Sequence, residues 1–173
     1  PALDETLSFA QVEYEVNLGV CEVPMELIVG TKTKGRTNSF AANYMPLLDA
    51  SSEFATKWIR LYTMLEEEGL RDPVKVYEFM NRFYVQEGNK RVSILTFLNA
   101  YSIPCSVIRI VPKRTDAKEN EIYYEFLDFY DITGLNNVNF SEKGRFAKLL
   151  AQVGTPKGEK WTYDDRMEFD SVF

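Results

Sequence analysis

Between Phe83 and Leu95 the hydrophobic pattern changes from that of a buried strand to that of a helix, and the change pivots on one glycine, Gly88. Phe83-Tyr84-Val85 reads as a strand, whereas Val92, Leu95 and Leu98 recur at helical spacing. Taken with the elements on either side, this strand–glycine–helix order reads as part of a mixed α/β domain. The flanking segments fit that frame. Val12, Tyr14 and Val16 alternate as in a short strand, and residues 20–29 read as a second strand closed by Gly30. Over residues 52–68, Phe54, Ala55, Trp58, Ile59, Tyr62 and Leu65 fall at helical spacing, with Ser51 or Ser52 as cap and Gly69 as terminator. Pro73 opens a strand over 74–77, Asn81-Arg82 reads as a hairpin turn, and residues 101–111 form another strand with Pro104 near its start. Residues 122–130 fit either helix or strand, and Ser141 is placed to cap a helix running from Gly144 towards Gly154.

The expected fold is α+β: a small mixed β-sheet with helices packed on it. The division expected is an N-terminal extension over 1–19, the domain proper over 20–154 and a C-terminal tail over 155–173. In the tail, Trp161, Tyr163, Met167, Phe169 and Phe173 find no obvious partner, and the ending Val172-Phe173 reads as the start of a further region.

Composition narrows the chemistry. The chain has 173 residues, 45% hydrophobic and 27% charged, within the range of globular domains. It contains no histidine, so Ser-His or Cys-His dyads, histidine metal ligands and imidazole acid–base steps are excluded. Cys21 and Cys105 lie in apolar runs and read as buried free thiols, which points to the cytoplasm. No apolar run approaches bilayer length, so no membrane partner is expected. The formal charge of −6 opposes a general duplex-DNA footprint; a local basic patch from Lys32, Lys34, Arg36, Lys90, Arg91, Lys113 and Arg114 would be needed.

The turn Gly88-Asn89-Lys90-Arg91 is the first candidate site. A helix start offers unpaired N–H groups and a partial positive charge, and glycine lets a ligand approach the backbone. Lys90 and Arg91 would sit in the first turn, where a helix disfavours cations, and a bound anion would resolve that mismatch. The same residues also describe a plain strand-to-helix turn with two solvated side chains. The loop around Lys32, Lys34 and Arg36 could lend an arginine to the same ligand, or be an exposed polar loop. Glu78 and Glu87 flank the hairpin and are candidates for a metal or general-base role, or surface charges. Glu66-Glu67-Glu68 reads as a solvated helix end. Tyr123, Tyr124, Phe126, Phe129 and Tyr130 could stack a base, or form aromatic core. No metal site is assigned.

The order of these features resembles the N-terminal domain of ParB, the chromosome-partition protein, and its relatives sulfiredoxin and the free-serine kinases. The resemblance runs over Val23–Val29, the Arg36 loop, Gly69, Arg71-Asp72-Pro73-Val74, the hairpin, Gly88–Arg91 and Ser102–Val107, and more loosely to about residue 153. It implies a bacterial, DNA-associated regulator of ParB/sulfiredoxin fold. Gly88–Arg91 then match a turn that holds nucleotide phosphates, Arg36 matches the arginine after the first strand, and the ligand would be a nucleoside di- or triphosphate with Mg2+. Glu125-Phe126-Leu127 falls where ParB carries Glu-Asn-Leu, so Phe126 replaces a magnesium-binding Asn. Asn89 stands where sulfiredoxin has its reactive cysteine, which rules out sulfinic-acid reduction. The helix-turn-helix of ParB has no counterpart here.

The expected function is a ParB-like regulatory or partition-type domain that binds a nucleotide or other phosphate ligand and responds through a further domain or protein partner. The alternatives are a nucleotide-dependent kinase or nucleotidase drawing on Glu78, Glu87 and Glu125, a DNA-associated nuclease-like or transcriptional-regulator domain, and a plain interaction scaffold.

Overall fold

The computed structural model describes residues 1–35, 40–47, 52–153 and 160–172. The chain falls into two compact units, Pro1–Lys113 and Arg114–Phe173.

In the first unit five strands form one mixed sheet in the order β1-β5-β3-β4-β2. Strand β1 (Val12–Pro24) pairs antiparallel with β5 (Ser102–Pro112), and β3 (Val74–Phe79) pairs antiparallel with β4 (Arg82–Glu87). β3–β5 and the short β2 (Ile28–Thr31) with β4 are the parallel pairs. Helix α2 (Glu53–Glu68) precedes β3, and α3 (Asn89–Phe97) links β4 to β5. One face of the sheet carries the core: Val74 and Val76 on β3, Val85 on β4, and Ile103, Cys105 and Val107 on β5, with Val92 of α3.

Several local expectations are revised by this arrangement. The two strands expected over 12–16 and 20–29 are instead one strand of 13 residues followed by a tight turn, Met25–Leu27, that releases β2 to the far edge. The polar gap that separated them on paper is a bulge. Gly19 takes φ +72°, and its N–H donates to the Asn17 side chain at 2.8 Å. The hairpin turn is Met80-Asn81, one residue earlier than expected, and both residues have positive φ as a two-residue turn between twisted strands requires. Ser52 caps α2 by accepting from the Ala55 N–H at 3.1 Å, and Gly69 ends the helix; Ser51 lies outside the described residues. The stretch before residue 20, expected as an extension, takes part in the sheet. Beyond β1 itself, Ala2 bridges Thr31, and Ala2 and Leu3 of the one-turn helix α1 (Leu3–Thr6) are buried.

Two charged residues stand in the core. Glu78 and Arg109, 1% and 3% exposed, face each other across the β3–β5 ladder, with Arg109 Nε donating to Glu78 Oε2 at 2.8 Å. The other Glu78 oxygen accepts the Asn81 N–H at 2.8 Å, tying the pair to the hairpin turn. Glu78 is therefore part of the core, not a free acid beside the hairpin. Cys21 and Cys105 are register partners on β1 and β5, and both thiols are free.

In the second unit α4 (Lys118–Thr133) resolves the ambiguous aromatic run as a helix. Ile122, Tyr123, Phe126 and Phe129 are buried, and Phe126 and Phe129 pack their rings on Phe146 of α5 (Arg145–Val153). That run is core rather than a stacking surface. Ser141 lies ahead of α5 in a turn, and Glu125 supplies the polar contact there, accepting the Gly144 N–H at 2.8 Å. The tail has partners after all. Trp161 donates its N–H to the Ile132 carbonyl at 2.8 Å and packs on Phe169 of α6 (Tyr163–Val172), while Lys160 pairs with Asp131. Gly154 and Phe173 lie outside the described residues. Among the described residues no helix is long and apolar enough to cross a membrane.

Burial pushes the Cys105 thiol up to about 12, with Glu22 and Cys21 adding to the shift and Arg91 opposing it. A group whose pKa rises on folding stabilises the fold fully below its unfolded value. This contribution is thus present below the ordinary thiol value of 9.0 and lost as the pH climbs through about 12. Thermal unfolding between pH 8 and 11 should show a falling midpoint, with a shallower fall in Cys105→Val. Glu78→Ala should destabilise the fold by about 3–5 kcal/mol, because it strands Arg109 in the core, whereas Glu78→Leu with Arg109→Met should be close to neutral. Urea unfolding of both variants checks this; a single variant as stable as the parent would refute the account of the pair.

Candidate functional site

Strand β4 runs through Gln86 and Glu87 into Gly88, which takes φ +106° and turns the chain into α3. Side chains rarely adopt that conformation, and the space beside it is tight as well. A Cβ on Gly88 would lie 2.9 Å from Arg91 Nη2 and 3.1 Å from each methyl of Val74. The first intrahelical bond runs from the Val92 N–H to the Gly88 carbonyl at 3.0 Å, and no side chain caps the helix start. The N–H groups of the first turn therefore have no partner within the helix.

That turn borders a cleft of about 360 Å³. Its apolar side is Phe40 together with Phe54 and Leu61 of α2, and its polar side is the turn Gln86–Arg91. The Trp58 Nε1–H donates to the buried Ser93 hydroxyl at 3.0 Å, holding α2 to α3 and so setting the two helical walls. Phe40 meets Phe54 edge-on, with centroids 5.3 Å apart.

The structure brings Gly88, Asn89, Lys90 and Arg91 together at this cleft, with Glu87 beside them. α3 starts at Asn89, so both cations belong to its first turn, where the sequence pattern puts them. Each is anchored. The Lys90 ammonium stands 5.2 Å from the centre of the Phe54 ring, and Arg91 Nη1 donates to the Asp72 carbonyl at 2.7 Å. Glu87 pairs with Lys75 at 3.2 Å on the surface. Asn89 is 8% exposed and its Oδ1 has no hydrogen-bond partner.

The other candidates stand elsewhere. Glu78 is at the opposite end of the hairpin from Glu87, committed to Arg109. Glu125 belongs to the second unit and holds the Gly144 N–H. Arg36 lies outside the described residues. Of its neighbours, Lys32 pairs with Asp4 and Lys34 with Glu5. Among the described residues no group of three or more Cys, Asp or Glu could hold a metal ion. Sequence reasoning missed Phe40 and Leu61 as cleft walls and the Asp72 carbonyl as the anchor of Arg91. Helical spacing marked Phe54 as inward-facing, but nothing local indicated that Lys90 would lie over it.

No family model and no curated protein matches the chain. Among solved structures it is similar to sulfiredoxin from Arabidopsis thaliana, at 22% identity and a TM-score of 0.37, over 51% of this chain and 82% of that one.

Gly88→Ala should cost roughly 1–2 kcal/mol for the left-handed backbone alone, with the Val74 contact added to it. Urea unfolding measures this, and an alanine variant of parental stability would show that the turn relaxes at no cost.

Proposed function

We propose that the first unit is a regulatory binding domain of ParB-like type, taking a nucleotide or another phosphate ligand at the start of α3. The observation that carries this reading is the uncapped helix start at Gly88, bordering a cleft with Lys90 and Arg91 in its first turn. Two cations there oppose the helix dipole, and a phosphate placed among them reverses the sign of that interaction. The wall of Phe40, Phe54 and Leu61 supplies an apolar surface of the kind a base or other flat group covers.

Binding is favoured over turnover. Phosphoryl transfer requires a metal and a group to orient the nucleophile near the transferred phosphate. Of the three acids considered for that work, Glu78 is held in the core, Glu125 is in the other unit and Glu87 is ion-paired to Lys75. A DNA-associated role is disfavoured by the charge of −6 and by the acids that pair with Lys32 and Lys34. In this reading ligand occupancy changes how the domain meets a protein partner or a further domain.

Thermal unfolding with CTP, ATP, ADP, GTP and pyrophosphate, each with and without Mg2+, tests the proposal. A ligand present at about a hundred times its dissociation constant should add roughly 2.7 kcal/mol of stability. Lys90→Ala and Arg91→Ala should each diminish that shift. No shift with any ligand at millimolar concentration would remove the phosphate reading.

A further inference from the structure

Cys21 on β1 and Cys105 on β5 are register partners in an antiparallel pair, so their side chains leave the same face of the sheet. Two prolines in this ladder fix what kind of pair they form. Pro24 faces Ser102 and Pro104 faces Glu22, and neither proline has an N–H to give. Those two pairs are therefore of the non-hydrogen-bonded kind. The phase holds one residue further on, where the Met25 N–H donates to the Tyr101 carbonyl at 2.9 Å. The register runs without a shift from Gly19 to Pro24, so Cys21 and Cys105 fall in the alternate, hydrogen-bonded set. Cα atoms in such a pair stand about 5.5 Å apart, inside the span of roughly 4.4–6.8 Å that a disulfide bridges.

Both thiols are free. Each leans along its own strand, Cys105 Sγ on the Ile103 carbonyl at 3.6 Å and Cys21 Sγ on the Leu18 carbonyl at 3.8 Å. A thiol is a weak donor, so little is lost when each side chain turns about χ1 to face the other. The Cβ atoms of such a pair start roughly 4.5–5.5 Å apart and must close to about 4 Å. β1 can supply that movement. It is an edge strand, paired on one side only, and a bulge between Asn17 and Gly19 interrupts its ladder close by. Cys21 is half-buried and Cys105 fully buried, so Cys21 is the sulfur that a reagent meets first.

We propose that Cys21 and Cys105 are an oxidation site, forming a reversible cross-strand disulfide that staples the edge strand β1 to β5. The oxidant is a small disulfide of the glutathione class. The Cys21 thiolate attacks one sulfur of the reagent, whose S–S bond breaks and releases one glutathione thiolate. The Cys105 thiolate then attacks the Cys21 sulfur, and the mixed S–S bond breaks to release the second. The two protons of the protein thiols end on the two glutathiones; the cysteines lose two electrons and the reagent gains them. Burial holds both thiols above their ordinary value, so the exchange is slow at neutral pH and quickens as the pH rises. The bridge closes a long loop and restricts chiefly the unfolded chain, which makes the oxidised form harder to unfold.

The test incubates the folded full chain with oxidised glutathione at mildly alkaline pH. Thiols are then counted after unfolding, and linked peptides are mapped by mass spectrometry. The expected result is that free thiols fall from two per chain to none, in a monomer lighter by two hydrogens with Cys21 joined to Cys105. Its thermal midpoint should lie above that of the reduced chain, and dithiothreitol should restore both thiols. Cys21→Ser should keep its remaining thiol free under the same treatment, because Cys105 is buried. Both thiols persisting in the unaltered chain overturns the proposal without requiring any variant. So does Cys21 stalled as a mixed disulfide with glutathione, or a bridge between two chains. A bridged monomer whose midpoint is no higher than that of the reduced chain also overturns it, since the bond would then not fit the native pairing of β1 and β5.

Discussion

Glu78 and Arg109 face each other across the parallel ladder of β3 and β5 with almost no exposure, and while both are present the fold of the first unit has to keep them together. Two charges taken out of water are tolerable only while their geometry holds. A one-residue slip of β3 against β5 would turn one of the two side chains to the opposite face and part the charges, so the pair penalises that slip. The second Glu78 oxygen binds the Asn81 N–H and so ties the same constraint to the hairpin. The hairpin sets β4 against β3, and β4 ends at Gly88. The position of the candidate site is thus linked, strand by strand, to an ion pair at the other end of the hairpin.

Around Gly88 the demands are local and opposed. The turn favours a residue without a side chain, because its φ of +106° is one that side chains rarely adopt and because Val74 and the Arg91 guanidinium crowd the place of a Cβ. The helix then begins with two cations at its positive end. Contacts within the protein soften that conflict, with Lys90 over the face of Phe54 and Arg91 on the Asp72 carbonyl. These anchors also hold both charges in place beside the cleft, which is the kind of preorganisation that lowers the entropic cost of binding an anion.

Legibility in the sequence followed the range of the interaction involved. The strand–glycine–helix junction, the bounds of α2 and the strand with Pro104 near its start could be read, because periodicity and turn chemistry act over a few residues. Val12–Pro24 was misread as two strands because Asn17 and Gly19 look like a break; a partner strand as long as β5 carries the pairing across a bulge. Glu78 looked like a free acid because a charged residue in an alternating strand normally points to water. Only the arrival of Arg109, 31 residues later, makes its burial possible. The aromatic run of α4 and the tail beyond residue 160 acquired their roles from Phe146 and Ile132, which local pattern could not assign to them.

By itself the sequence determined the class of fold, an α+β domain with a mixed sheet, and the location of its most distinctive turn. It also excluded histidine chemistry. Those properties depend on composition and on periods shorter than a helix turn or two. Tertiary structure alone decided which acids remain available and which are consumed, that Phe40, Phe54 and Leu61 would face Gly88–Arg91 across a cleft, and that Asn89 would be buried with an acceptor unpaired. The physical reason is that burial and partnership belong to pairs of residues distant in the chain, and a side chain's chemistry changes with the dielectric and the neighbours that folding brings to it.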